Sequence, residues 1–136
     1  FLRIAPICNG KIYVAPRSYQ GEEPGKLDIP MEDYIYACKT DTDKYAKEVE
    51  NKYSNHITGQ PEPRFSLKHL VKETNGVKKT IMLYILPLND EEQIHFTGGK
   101  FVTPEEIEMN SAQYSSFLKE EIDHLNIVTQ MWEEFK

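Results

Sequence analysis

The dipeptide Asn75-Gly76 constrains this chain more than any other feature. It separates two strand-like runs, Arg64 to Thr74 and Val77 to Leu86. Asn followed by Gly readily adopts the positive φ angles of a type I′ turn, whose twist matches that of paired strands. A second such pair, Asn9-Gly10, joins the shorter runs Leu2 to Cys8 and Lys11 to Pro16. The stretch Thr80 to Leu86 reads as apolar along its length. Such a strand belongs in the middle of a sheet covered on both faces.

Helices must supply that cover. Thr40-Asp41-Thr42-Asp43 is a run of N-cap residues, and the helix expected after it reaches about Tyr53. Tyr45, Ala46, Val49 and Tyr53 form its apolar stripe. Thr103-Pro104-Glu105-Glu106 combines a Thr-x-x-Glu capping box with proline at the first helical position. A longer helix is expected over Ala112 to Phe135, with Leu118, Ile122, Leu125, Val128, Trp132 and Phe135 on the buried face. Ser18 to Lys26 and His56 to Pro63 read as loops, Leu27 to Pro30 as a short strand, and Gly98-Gly99 as a turn before the strand Lys100 to Val102. The sum is one α+β domain over residues 1–136 with a mixed central sheet. The chain opens at Phe1 inside a strand-like run, which suggests a domain cut from a longer protein.

Apolar residues make up 39% and charged residues 28%, as in an ordinary globular domain. No apolar run approaches the roughly 20 residues that span a bilayer, and no signal peptide pattern opens the chain. The expected setting is cytoplasmic, with no membrane contact by this domain. The net charge of -6 disfavours nucleic acid polymers as partners. Cys8 and Cys38 are expected to be inert thiols in a reducing compartment.

The helix ending near Tyr53 is the most informative segment for chemistry. Carboxylates at i, i+3 and i+4 share a helix face and can hold a hard divalent cation. Here those positions are Glu48, Asn51 and Lys52. Glu48 and Lys52 are instead an i,i+4 pair in the favourable order, worth about 0.3–0.5 kcal/mol when exposed. The spacing lets the Lys52 ammonium sit where a cation would bind.

The order of these elements resembles a Nudix (MutT-like) hydrolase domain, which implies an α/β/α sandwich. Lys47-Glu48-Val49-Glu50-Asn51-Lys52-Tyr53-Ser54 is similar to the signature Arg-Glu-apolar-x-Glu-Glu-x-Gly. Glu48 and Val49 are kept, but Asn51 and Lys52 stand at the paired glutamates and Ser54 at the glycine. Leu27-Asp28-Ile29-Pro30-Met31-Glu32 resembles the family's Trp-Asp-Leu-Pro-Gly-Gly, with both glycines replaced. Gly10 to Ser18 is similar to the family's Gly-Lys hairpin strand, and Gly99 to Ile107 to the segment before its late helix.

The resemblance implies a metal site and diphosphate hydrolysis only where the signature glutamates survive. The expectation is therefore a degenerate Nudix box with no resident metal and no cofactor. Such a domain would bind a nucleotide or another phosphorylated metabolite, or act as a regulatory module of a parent chain. Arg17, Asp28, Arg64 and Lys68 are the expected ligand-binding residues. A first alternative is an active hydrolase of nucleoside diphosphate-linked substrates, with Mg²⁺ held by relocated ligands drawn from Glu48, Glu50, Glu32 and Asp28. Glu48 and Glu50 are then the candidate catalytic residues. A second is a protein-interaction module or homodimer using the Trp132 helix. His56, His69, His95 and His124 lack metal-ligand spacing and are expected at the surface. The acidic pair Glu22-Glu23 is expected to be merely solvated.

Overall fold

The computed structural model describes residues 1–33 and 42–135, with only the backbone at 42, 43, 65–74 and 77–79. Cys38 lies outside the described residues, as do the first cap residues expected before the helix at Asp43. The elements run β1 (Leu2–Cys8), β2 (Lys11–Pro16), β3 (Leu27–Asp28), β4 (Met31–Asp33), α1 (Thr42–Lys52), β5 (Arg64–Thr74), β6 (Val77–Pro87), β7 (Lys100–Val102), α2 (Pro104–Met109) and α3 (Ser116–Phe135).

Both Asn-Gly pairs form the expected turns, with φ of 53° and 75° at Asn9 and Gly10 and 52° and 78° at Asn75 and Gly76. The path through the sheet is β3-β2-β1-β6-β5. β1 and β6 run parallel, while β2 and β5 lie antiparallel to them. β6 is thus internal, as its apolar run requires. Its alternate side chains feed two cores. Ile85 and Leu83 join Ala5, Ile7, Ile107, Leu118, Leu125 and Val128 on the face covered by α2 and α3. Tyr84 and Leu86 join Leu2, Ile4, Cys8, Ala46 and Val49 on the face covered by α1. The result is an α/β/α sandwich.

Two boundaries differ from those expected. The short strand ends at Asp28, and a further strand, β4, follows at Met31. The long helix starts at Ser116 rather than at 112. Tyr114 bridges to Leu27, and the Ser115 amide donates to the Leu27 carbonyl at 2.9 Å. Those long-range bonds hold Tyr114 and Ser115 out of the helix. Glu23 is not merely solvated: its carboxylate accepts from the Ser116 amide and hydroxyl at 3.0 and 2.9 Å, closing the start of α3. Trp132 packs against the core below α3, but Phe135, expected on the same face, is exposed at the helix end with its ring 6.0 Å from that of Trp132; Ile127 and Met131 are exposed as well.

The sheet has one irregularity that positions a site. The C-terminal end of β1 pairs with β2, through Ile7 opposite Ile12. Its N-terminal end pairs with β4, through Arg3 opposite Glu32. The far end of β2 turns to β3, setting Ala15 opposite Asp28. Polar side chains from β1, β3 and β4, with Arg17 just beyond β2, therefore converge where β2 parts from β1.

Candidate functional site

Arg3 is the centre of this convergence. Strand alternation points it to the same face as Ala5 and Ile7, into the layer under α3. Its side chain is fully buried. The guanidinium donates from Nε to Glu121 at 2.9 Å, from Nη2 to Asp28 at 2.6 Å and to Glu121 at 2.8 Å, and from Nη1 to Asp28 and Glu32. Burial alone would lower its proton affinity, but Glu121 and Asp28 outweigh that and hold it above its ordinary value. It is a permanent cation. Arg17, just beyond β2, adds a second guanidinium, bonding Asp28 through Nη1 at 2.5 Å and the Glu22 carbonyl through Nε at 2.8 Å.

Glu32 is the most exposed member of this cluster, with 23% of its side chain exposed against 13% for Arg17. Burial lifts its carboxyl above the usual carboxylate range and the Asp28 charge adds to this; Arg3 and Arg17 only partly offset them. A carboxyl raised in the folded state favours the protonated form there. Its contribution to stability is complete below the unfolded value near 4.5 and is lost as pH rises through the folded value. Glu32→Gln is expected to flatten the stability profile across that window, read by urea unfolding at a series of pH values. An unchanged slope would contradict this.

The cluster opens into a cavity of about 450 Å³ lined by Arg17, Asp28, Glu32, Tyr53, His56 and Phe96, among others. Tyr53, one residue past α1, donates its hydroxyl to the Glu32 carbonyl at 2.9 Å. The turn over Ser54–His56 then brings His56 beside the segment before β7. The His95 amide donates to the His56 carbonyl at 2.9 Å, and Ile57 bridges to Ile94. His56 and Phe96 stack with ring centres 4.0 Å apart and planes 7° apart. The Tyr13 hydroxyl fixes Phe96 by accepting from its amide at 2.8 Å.

The expected ligand residues divide. Arg17 and Asp28 line the cavity. Arg64 is half-exposed on β5 beside Glu62 at 3.6 Å and does not line it. Lys68 lies on β5 at the register of Met82, and only its backbone is described.

The signature positions of α1 take a different arrangement from the expected pair. Lys52 reaches Asp33 of β4 at 3.2 Å rather than Glu48, because the end of α1 packs beside β4. Glu48 and Asn51 are exposed. Glu50 is buried and paired with Lys47 at 2.9 Å. Among the described residues no group of three His, Cys, Asp or Glu side chains is placed to hold a metal ion. No helix there is long and apolar enough to cross a membrane.

Sequence reasoning missed Arg3, Glu121 and the His56–Phe96 stack. Arg3 offered one signal, a charge inside an otherwise apolar strand run. Nothing local marks Glu121 or Phe96, whose partners are distant in sequence.

No protein-family model matches the chain, and no curated protein matches it in sequence. Solved structures do. A Nudix hydrolase from M. smegmatis superposes with a TM-score of 0.68, over 96% of this chain and 84% of that one, at 12% identity. MutT from methicillin-resistant Staphylococcus aureus 252, of the Nudix hydrolase family, gives 0.60 over 96% and 94%, at 13% identity. The C. elegans Ap4A hydrolase gives 0.54 over 91% and 94%, at 18% identity. At such identities the likeness is one of fold, and it agrees with the layers and strand order above: this chain has a Nudix-like fold.

Proposed function

We propose that this domain binds a small molecule in the cavity beside β2 and has no Mg²⁺-dependent diphosphate hydrolysis, so that it serves a regulatory or sensing role. The observation that carries this is the state of α1. Hydrolysis in the Nudix manner needs carboxylate oxygens free for Mg²⁺, which keeps several waters and takes few protein ligands. Here an ammonium, Lys52, stands at a signature position and is held by Asp33, while Glu50 is buried with the Lys47 ammonium 2.9 Å from its Oε2.

The relocated-ligand reading fares no better. Asp28 is bonded by Arg3 and Arg17, Glu32 pairs with the same two guanidiniums, and Glu48 is exposed on α1. These residues do not fit Mg²⁺.

Two measurements test the reading. Calorimetric titration with Mg²⁺ is expected to give no saturable heat, and a panel of nucleoside diphosphate-linked compounds is expected to show no Mg²⁺-dependent cleavage. Rapid turnover of any member would overturn it.

A further inference from the structure

The polar wall of the cavity carries more negative than positive charge. Among the described residues the buried cluster holds three carboxylates, Asp28, Glu32 and Glu121, against two guanidiniums, Arg3 and Arg17. Asp28 has no capacity left: Oδ1 accepts from Arg3 at 2.6 Å and from the Ile29 amide at 2.8 Å, and Oδ2 from Arg3 at 3.2 Å and Arg17 at 2.5 Å. Both oxygens of Glu121 are on Arg3. The surplus charge therefore falls on Glu32, the least buried of the three: its Oε2 accepts from Arg3 and its Oε1 lies 3.3 Å from Arg17, so each oxygen keeps room for one more donor. An anion entering here meets Arg17 already bonded to Asp28 and to the Glu22 carbonyl.

Aromatic rings of Tyr53, His56 and Phe96 line the same cavity. His56 and Phe96 lie parallel, and the Tyr53 ring is 5.8 Å from Phe96. Flat aromatic walls favour planar groups by stacking, and favour planar cations further. Tyr53 ties these rings to the polar wall, since its hydroxyl bonds the backbone of Glu32.

We infer that the cavity takes a planar ring bearing an amidinium-like cation, with the charge seated on Glu32 and the ring against the His56–Phe96 pair. This rests on reading the cavity as a ligand site, and it names the ligand's chemical class. The amidinium supplies two parallel N–H donors, which suit a carboxylate better than a single ammonium does.

The test uses three probes with one ring and different charge: benzamidine, benzamide and benzoate. Each is titrated into the protein while backbone amide shifts are followed at Arg17, Glu32, His56 and Thr97. Benzamidine is expected to shift these amides and to bind at least about tenfold tighter than benzamide, as a charge-assisted hydrogen bond implies. Benzoate is expected to bind weakest. Glu32→Gln should bring benzamidine and benzamide close to parity. His56→Ala, at an exposed position, should weaken both by a similar factor, which keeps the test sound should Glu32→Gln fold poorly. Benzoate binding at these amides as tightly as benzamidine would overturn the cation assignment and leave the non-hydrolysing binding domain standing. Silence of all three probes at these amides would overturn both the assignment and the cavity as a ligand site. Mg²⁺-dependent hydrolysis, measured separately, bears only on the absence of catalysis.

Discussion

Arg3→Met is expected to destabilise the protein by about 3–5 kcal/mol, since removing one partner of a buried ion pair strands the other charges. Asp28 and Glu121 are 1% and 0% exposed, and Arg3 is bonded to both. Arg17 would remain on Asp28, but Glu121 would lose the guanidinium that accepts its charge. Methionine matches the stem of arginine in volume, so cavity formation is not the source of the loss. The deficit should shrink at low pH, where the stranded carboxylates take up protons. It should also shrink in Arg3→Met combined with Glu121→Gln, because the cost belongs to the uncompensated charge rather than to the pair. Urea unfolding of the single and double variants measures both effects. A single-variant loss below about 1 kcal/mol would mean that water reaches the cluster and solvates it.

Gly99→Ala is expected to cost about 1–3 kcal/mol, the range for forcing extra volume into a packed site. A Cβ at Gly99 would lie 1.9 Å from the Tyr13 hydroxyl oxygen and 2.4 Å from Cζ. Tyr13 has little room to retreat. It is 4% exposed and packs edge-on to Phe101 at 5.0 Å. Displacing it also takes the acceptor from the Phe96 amide. The variant should therefore disturb the cavity as well as stability. Chemical shifts at His56 and Phe96 should move, alongside a lower unfolding midpoint. Unperturbed shifts with unchanged stability would show that the chain between Phe96 and Lys100 moves aside freely.

Gly99 also marks where reading the chain stops working. Gly98-Gly99 announces a turn, and Gly98 does take a positive φ of 74°. Gly99 is required for a different reason, the approach of a tyrosine from a strand more than eighty residues earlier. The hairpins were legible because Asn-Gly encodes its own backbone geometry. α1 and α2 were legible because apolar spacing and caps are local. α3 was misplaced at its start because the bonds from Leu27 to Tyr114 and Ser115 are not local.

The site divides along the same line. Arg17 and Asp28 could be named through the family resemblance, and both line the cavity. Arg64 was named on equal grounds and faces Glu62 instead. The helix short of carboxylates was visible as Glu48, Asn51 and Lys52. The partner of Lys52 was not, since the i,i+4 rule ranks Glu48 first and the fold supplies Asp33.

The sequence by itself determined the two hairpins and the helices α1 and α2, and it removed the paired acids from α1. Backbone preference and side-chain periodicity act within a few residues, so they can be read along the chain. Only the tertiary structure decided what the remaining charges do. It paired β1 with both β2 and β4, sank Arg3 among three carboxylates drawn from β3, β4 and α3, and laid His56 on Phe96. Electrostatic and stacking energies depend on distance in space and on burial, and neither is written in the spacing of residues along the chain.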